Sequence, residues 1–273
     1  GIHQTVVGDT DCARLAIYRA ANNLAAAGAQ PVAVELSLLL PAECQEPELR
    51  RIMEQAERAC LNLNIQLAGG STKTSPAVQS PVATVVGIGK RAAADQPKAM
   101  PGQDIVITKW IGLEGTAILA KQYEQELLQR YPADFIREAK AFDRWLSVIP
   151  EAATAGKSGT CRMYDCAEGG IFGALWEFGR SAGVGLELDL KKLPVKQETI
   201  EICEYLEKNP YELLCGGALL IASDNGYDLV RQLKEQGISA TVAGKVTDNH
   251  DRIVINEEER RFLDLPKTDE IYK

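Results

Sequence analysis

Apolar positions recur along this chain in two rhythms that take turns. Leu15, Tyr18, Ala21, Leu24 and Ala25 return every three or four residues, which predicts a helix capped by Asp11 and ended by Gly28. Beyond Pro31 the run VAVELSLLLP is apolar nearly throughout, which predicts a strand buried on both faces. Helical spacing returns from Pro47 to Leu63, with Leu49, Ile52, Met53, Ala56 and Cys60 facing inward. IQLAGG (65–70) reads as a short strand closed by a glycine pair, and VATVVGIG (82–89) as another strand. DIVITK (104–109) restarts the pattern with a strand. Long helices are predicted over 112–131 and 132–147, followed by small and polar residues around 154–160. Residues 163–165 read as a strand end and 168–183 as a helix carrying Ile171, Ala174, Leu175, Phe178 and Ala182. GLELDL alternates as a strand, 198–207 is helical, ALLIAS (218–223) is a buried strand and 227–236 is a helix. Residues 240–246 and 251–256 form a final pair of strands, and the tail after Glu257 is polar and peripheral.

Strands and helices interleave in both halves, which places the chain among α/β and α+β folds. Residues 91–103 form a polar connection with Pro and Gly, so the halves are taken as 1–103 and 104–273. The 273 residues suffice for two packed halves, and 45% hydrophobic with 25% charged residues is a globular balance. The net charge of −8, from 30 basic and 38 acidic residues, argues against a nucleic-acid partner, because phosphate neutralisation dominates that affinity. No apolar run is long enough to span a membrane. The 7 cysteines, none spaced C-x-x-C, read as free thiols of a reducing compartment, which implies a cytoplasmic protein. His3 and His250 alone are too few for a histidine-rich metal site, and they argue against a Ser-His-Asp triad.

Four short segments are candidates for chemistry. Gly69, Gly70, Ser71 and Thr72, followed by Lys73 and Thr74, join paired glycines to hydroxyl donors. Backbone N–H groups at such a pair can approach an anion. Walker spacing is absent, and a plain strand-ending turn fits equally well. Asp165-Cys166-Ala167-Glu168-Gly169-Gly170 brings a strand end to a helix start, where N–H groups and the helix dipole favour phosphate. Its two carboxylates suit a metal-bridged phosphate; alternatively Asp165 or Glu168 caps the helix and the glycines allow close packing. Asp11 at a helix start, with Asp9 before it and Asn22 and Asn23 on the same helix, offers cation ligands or only an N-cap. Trp110 to Thr116 passes through Gly112 and Gly115 into a helix, either presenting N–H groups to a ligand or packing strand against helix. Cys166 has no histidine near it in sequence to activate it, and no catalytic residue is assigned.

Taken in order, longer segments resemble the superfamily of aminoimidazole ribonucleotide (AIR) synthase, selenophosphate synthetase, thiamine-monophosphate kinase and the thiocarbamoyl-dehydrating hydrogenase-maturation factor. The likeness is nearest to the hydrogenase-maturation branch and its uncharacterised relatives. It is carried by LAIYRAANNLAAAGAQPVAVELSLLLP, AGGSTKTSPAVQSPVATVVGIGK, GQDIVITKWIGLEGTAILA and MYDCAEGGIFGALWEFGRSAGVGLELDLKKLPV. NPYELLCGGALLIAS and GISATVAGKVT extend it into the last third.

The resemblance implies an N-terminal α/β half whose sheet closes a barrel with its mate in a homodimer, and a C-terminal α+β half. It implies ATP and Mg²⁺ as cofactors, with nucleotide held between the halves and across the dimer. Asp11, Asn23 and Asp165 are then the expected metal ligands. Asn23, Gly69, Gly70, Ser71, Thr72, Asp165, Glu168, Gly169 and Gly170 are the expected contacts to the phosphate-bearing ligand. The family's glycine-rich acidic segment precedes the point where this sequence begins. Its acidic residue on the first helix is Asn23 here, its Asp or His after the glycine pair is Ser71, and its His before the signature Asp is Tyr164. The maturation factor's terminal Cys has no counterpart among Asp269–Lys273, so cyanide-forming chemistry through that thiol is not expected. Two readings follow. One is an ATP-binding, Mg-dependent enzyme of phosphoryl-transfer or dehydration type, its substrate unknown. The other is a catalytically degenerate relative serving as a binding or scaffold subunit with maturation-complex proteins.

Overall fold

The computed structural model describes residues 2–8 as backbone and residues 11–91, 97–159 and 161–273 in full. The chain forms two compact units, Gly1–Asp95 and Gln96–Lys273.

In the first unit β1 (Ile2–Gly8), α1 (Cys12–Ala26), β2 (Ala29–Pro41), α2 (Glu46–Leu63), β3 (Gln66–Ser75) and β4 (Val82–Arg91) follow one another. They build a four-stranded sheet in the order β1-β4-β2-β3. β2 and β3 are parallel, and the other neighbours are antiparallel. Helix α1 buries Ala13, Ala16, Ala20 and Ala21 together with Ile17 and Leu24. Gly87 faces it from β4, where a Cβ would stand 2.9 Å from Leu24 Cδ1 and 3.3 Å from Ala20 Cβ. Small residues on both surfaces thus set this helix close on the sheet.

Strand β2 was expected to be buried on both faces, but its burial alternates. Val34, Leu36, Leu38 and Leu40 are buried, while Glu35 is exposed and Ser37 and Leu39 are half-buried. Within this unit α1 and α2 cover one face only, which explains the alternation. The expected turn at Gly69 and Gly70 is also corrected: β3 runs straight through them as an exposed edge strand. A register shift against β2 between Val34 and Glu35 accommodates the pair. At Gly70, with φ 153°, a Cβ would overlap the Leu36 carbonyl oxygen of the neighbouring strand. That glycine serves the sheet's own backbone approach.

The second unit opens with β5 (Asp104–Thr108), α3 (Leu113–Gln122), α4 (Glu124–Leu127), α5 (Ala133–Lys140) and α6 (Ile149–Ala155). It continues with β6 (Cys161–Asp165), α7 (Gly170–Ala182), β7 (Gly185–Asp189), α8 (Gln197–Tyr205) and β8 (Leu219–Ser223). It ends with α9 (Gly226–Glu235), β9 (Ala240–Thr247), β10 (Arg252–Asn256) and β11 (Glu259–Phe262). The sheet order is β11-β10-β7-β9-β5-β8-β6, antiparallel throughout except for β10 beside β7. β5 and β8 are buried at every position, as strands covered on both faces must be. Ile105, Ile107, Leu220 and Ala222 join Ile171, Leu175 and Phe178 of α7 in one core. Helix α9 starts against Val106, on the opposite face, with α6 packed beside it.

Several expectations change here. The helix predicted over 112–131 breaks at Tyr123, which lets Leu127 join Leu119, Ile136 and Ile202 in a second apolar cluster. The helix predicted over 132–147 ends at Lys140 and tightens into a 3₁₀ turn over Ala141–Trp145. Helix α6 was not foreseen, although Pro150 in its first turn is a start signal. β9 and β10 do not pair with each other, because β7 lies between them. The tail is not peripheral: β11 pairs with β10, and Leu263, Asp269 and Glu270 are buried. Among the described residues no helix is long and apolar enough to cross a membrane. None of the 7 cysteines forms a disulfide, and only Cys44 is not buried.

Candidate functional site

The signature segment starts where β6 ends. Asp165 lies opposite Leu219 of β8. On the other side of β8, Ile107 of β5 faces Leu220, and Thr108 Oγ1 accepts the Leu219 N–H at 3.0 Å. Asp165 and Lys109 therefore leave the sheet at the same end, one strand to either side of β8. Lys109 adopts φ 52°, the left-handed region that a residue with a Cβ rarely visits. Its ammonium donates to the Ser147 carbonyl at 2.6 Å and pairs with Glu151 Oε1 of α6 at 2.5 Å. Lys109, Glu151 and Asp165 are 6%, 2% and 5% exposed. Burial pushes the Lys109 ammonium down, while the negative charges of Glu151 and Asp165 oppose that shift.

Past Asp165 the backbone hugs its own chain. The Cys166 N–H donates to the Ala218 carbonyl, and the Ala167 carbonyl accepts from the Cys215 N–H. Gly169 and Gly170 both take positive φ, 77° and 65°. A Cβ on Gly170 would stand 2.7 Å from the Glu212 backbone and closer still to the Tyr211 carbonyl oxygen. At the start of α7 the Gly169 N–H donates to Asp269 Oδ2 at 2.7 Å, and the Phe172 N–H to the Tyr211 carbonyl at 3.1 Å. Asp269 Oδ1 also accepts from the Leu214 and Ile271 N–H groups. Burial raises the Asp269 carboxyl, and those three backbone donors act against the rise. Neither Asp165 nor Glu168 caps the helix, since no side-chain cap bond is made by its N-cap Gly169. Glu168 is exposed and accepts the Tyr272 hydroxyl at 3.0 Å.

Cys166 is fully buried, and its thiol is pushed well up, first by a hydrogen bond with Cys215 and then by burial. The segment from Trp110 to Thr116 is likewise packed inward. Gly112 takes φ 71°, the Gly115 N–H donates to the Leu214 carbonyl, and a Cβ on Gly115 would stand 2.7 Å from Leu213 Cδ1.

In the first unit the expected cation site comes apart. Asp11 and Asn23 are twelve residues apart on α1, about 18 Å along the axis, so no single ion touches both. Asp11 Oδ2 accepts from Arg14 at 3.0 Å and Oδ1 from Gln55 at 2.9 Å, which makes it a tether between α1 and α2. The Asn23 amide donates back to the Arg19 carbonyl at 2.9 Å. Asp9 lies outside the described residues. Asp165 belongs to the second unit, buried at the end of β6. Among the described residues no group of three or more His, Cys, Asp or Glu side chains could hold a metal ion. Asp11 and Asn23 of one chain therefore do not share one ion. Gly69, Gly70, Ser71 and Thr72 share one exposed edge, where Ser71 Oγ meets Ser37 Oγ at 3.1 Å across the strand pair. Open space surrounds the Cβ position of Gly69.

Sequence reasoning missed Lys109, Glu151 and Asp269. Lys109 had one visible signal, a charge ending the apolar strand DIVIT. Asp269 had none, because it lies 100 positions from the helix start it serves.

The comparisons with known proteins bear on the whole chain. The N-terminal domain of the AIR synthase related proteins matches residues 2–90, and their C-terminal domain matches residues 100–256. A hydrogenase expression/formation protein of Methanocaldococcus jannaschii is 27% identical over 272 residues, covering 96% of this chain and 78% of that protein. Carbamoyl dehydratase HypE of Rhizobium leguminosarum is 25% identical over 222 residues, 79% of this chain and 61% of its own length. The crystal structure of the hydrogenase maturation protein HypE in complex with ATP superposes with a TM-score of 0.83 at 18% identity, covering 100% of this chain and 87% of that one. A HypE–HypF complex gives 0.79 at 19% identity, covering 96% and 90%. At such identities the structural likeness is one of fold.

Proposed function

The chain belongs to the AIR synthase related family through both of its domains, and from that premise we propose that it binds ATP and works as a homodimer in a hydrogenase-maturation type of chemistry. The observation that carries the nucleotide reading is the likeness, over the whole chain, to a HypE solved with ATP. In the first unit, the open surroundings of Gly69 and the hydroxyls of Ser71 and Thr72 on β3 suit phosphate and ribose oxygens, and Gly70 fixes that edge's path. Asn23 is the amide proposed to reach the ligand from α1. In the second unit the turn from Asp165 through Glu168, Gly169 and Gly170 is the proposed contact. Asp165 serves there by fixing the start of the turn. Any Mg²⁺ would come with the nucleotide and be held mainly by its phosphates, as that ion commonly is. Calorimetric titration with ATP and Mg²⁺ should show binding, and Asp165→Asn should weaken it about tenfold, equivalent to about 1.4 kcal/mol. A native protein that takes up no ATP would sink this reading.

The homodimer reading is supported by the uncovered face of the first sheet. Val32 and Ile88 are each 41% exposed there, and Leu39, Val82 and Val86 are half-buried beside them. Sedimentation velocity should give twice the chain's mass, and Ile88→Glu should lower it to one. A wild-type monomer at micromolar concentration would refute the dimer.

A second reading is favoured by one observation, the Asp269 carboxylate seated on the start of α7. In it the protein is a non-catalytic partner of maturation proteins, as HypE is found with HypF in a solved complex. ATP binding without ATP turnover, together with capture of a HypF-type partner, separates it from the enzyme.

A further inference from the structure

We infer that Lys196, held over the indole faces of Trp110 and Trp145, is the binding group of an oxyanion site that takes the carboxylate or phosphate of a second substrate. The site's role in catalysis rests on the nucleotide reading.

Three observations carry the inference. The first is how the site is built. Ile111 and Val195 form a parallel bridge, and the Ile111 N–H donates to the Pro194 carbonyl at 2.8 Å. Backbone thus ties together the segments that carry Trp110 and Lys196. The two indole rings stand 4.9 Å apart at 46°. The Lys196 ammonium lies 4.1 Å from the Trp110 ring centre and 5.1 Å from that of Trp145. The Arg144 guanidinium adds a second cation, 4.1 Å from the Trp145 ring centre.

The second is what the ammonium lacks. Lys196 is half-buried, and among the described residues its three N–H groups meet neither a hydrogen-bond acceptor nor a carboxylate. Lys109, Lys121, Lys140 and Arg144 each meet a carboxylate. Indole faces hold a cation in place but bring it no counter-charge. Service to α8 does not explain the lysine either, because it stands at that helix's N-cap, where the dipole is already positive. An oxyanion supplies both the acceptor and the missing charge.

The third is location. Trp110 stands two residues past the end of β5, and Asp165 is the last residue of β6. Both strands run antiparallel to β8 between them, so both leave the sheet at one end, about 10 Å apart. A small substrate anchored at Lys196 reaches across that distance towards a nucleotide held at the Asp165–Gly170 turn.

Two of the chain's 3 tryptophans line the site, so their emission reports on it. Inorganic phosphate and acetate are each titrated into the full chain at constant ionic strength and without ATP. At least one should give a saturable change, and whichever does names the oxyanion. Lys196→Gln should weaken that binding about tenfold, whereas Lys196→Arg, which keeps the charge, should stay within about threefold of the wild type. Circular dichroism checks that each is folded. No saturable change with either anion overturns the site, and so does a folded Lys196→Gln protein that responds like the wild type. If Lys196→Gln does not fold, lysine acetylation of the wild type, mapped by mass spectrometry, takes its place. The anion should slow labelling of Lys196 and leave the exposed Lys234 unchanged, and equal labelling of Lys196 with and without it is equally fatal. A wild type that binds the anion but takes up no ATP overturns the substrate role, and the fault then lies with the nucleotide reading.

Discussion

Replacing Lys109 with Met will cost the folded protein about 3–5 kcal/mol, the range seen when one partner is removed from a buried ion pair. The loss is not one of side-chain volume, because Met fills nearly the same space. It comes from what stays behind. Glu151, 2% exposed, would face the interior with no ammonium at Oε1, and the Ser147 carbonyl would lose its donor. Asp165 would lose a nearby positive charge. The left-handed backbone at Lys109 does not alter the comparison, because Met is strained there as much as Lys. Urea unfolding should show a lower midpoint at unchanged slope. The double variant Lys109→Met with Glu151→Leu should recover much of the loss, since an apolar pair can replace an ion pair at little cost. A single-variant loss under about 1 kcal/mol would mean that water reaches these carboxylates and screens them.

Gly170→Ala is the second large effect, expected at about 2–4 kcal/mol from backbone strain and overpacking together. Two causes add at this position. The residue sits at φ 65°, and its new Cβ would stand 2.7 Å from the Glu212 backbone, which has no flexible end to move aside. Gly183, at the other end of α7, separates the two causes. It has φ 71° but nothing within 4 Å of its Cβ position. Gly183→Ala should therefore show strain alone, about 1–2 kcal/mol. Equal losses at the two glycines, read from thermal or urea unfolding, would show that the contact with residues 211–212 relaxes freely.

The pairing of these two variants says something about the Asp165–Gly170 segment. Its glycines were legible in the sequence as a place where backbone comes close to something. Whether that partner was a phosphate or the chain itself was not legible. The structure places the Tyr211 and Glu212 backbone against Gly170 and the Asp269 carboxylate on the Gly169 N–H. Both partners lie tens of residues away, and local pattern carries no information on such distances. Asp11 behaves in the same manner. The sequence offered it as a cap or a cation ligand, and the tertiary structure brings Gln55 of α2 to its carboxylate. Only Asp11 to Asn23 could have been excluded earlier, because helical rise alone puts them about 18 Å apart.

The sequence by itself determined most elements, their order and the family, because apolar period, turn residues and ordered segment likeness are local properties. Helix α1, strand β4 and the all-buried β8 stand close to where their patterns placed them. The tertiary structure alone decided what each polar group meets. It made β2 one-sided by covering a single face within its unit, and it carried β3 through its glycines by giving the strand a neighbour. It drew the tail into the second unit through the Asp269 bonds, and it set Lys109 against Glu151 and the Ser147 carbonyl. The physical reason is the same in each case. A buried charge or donor must find its partner somewhere in the folded chain, and that partner is chosen by packing across the sheet, which sequence spacing does not record.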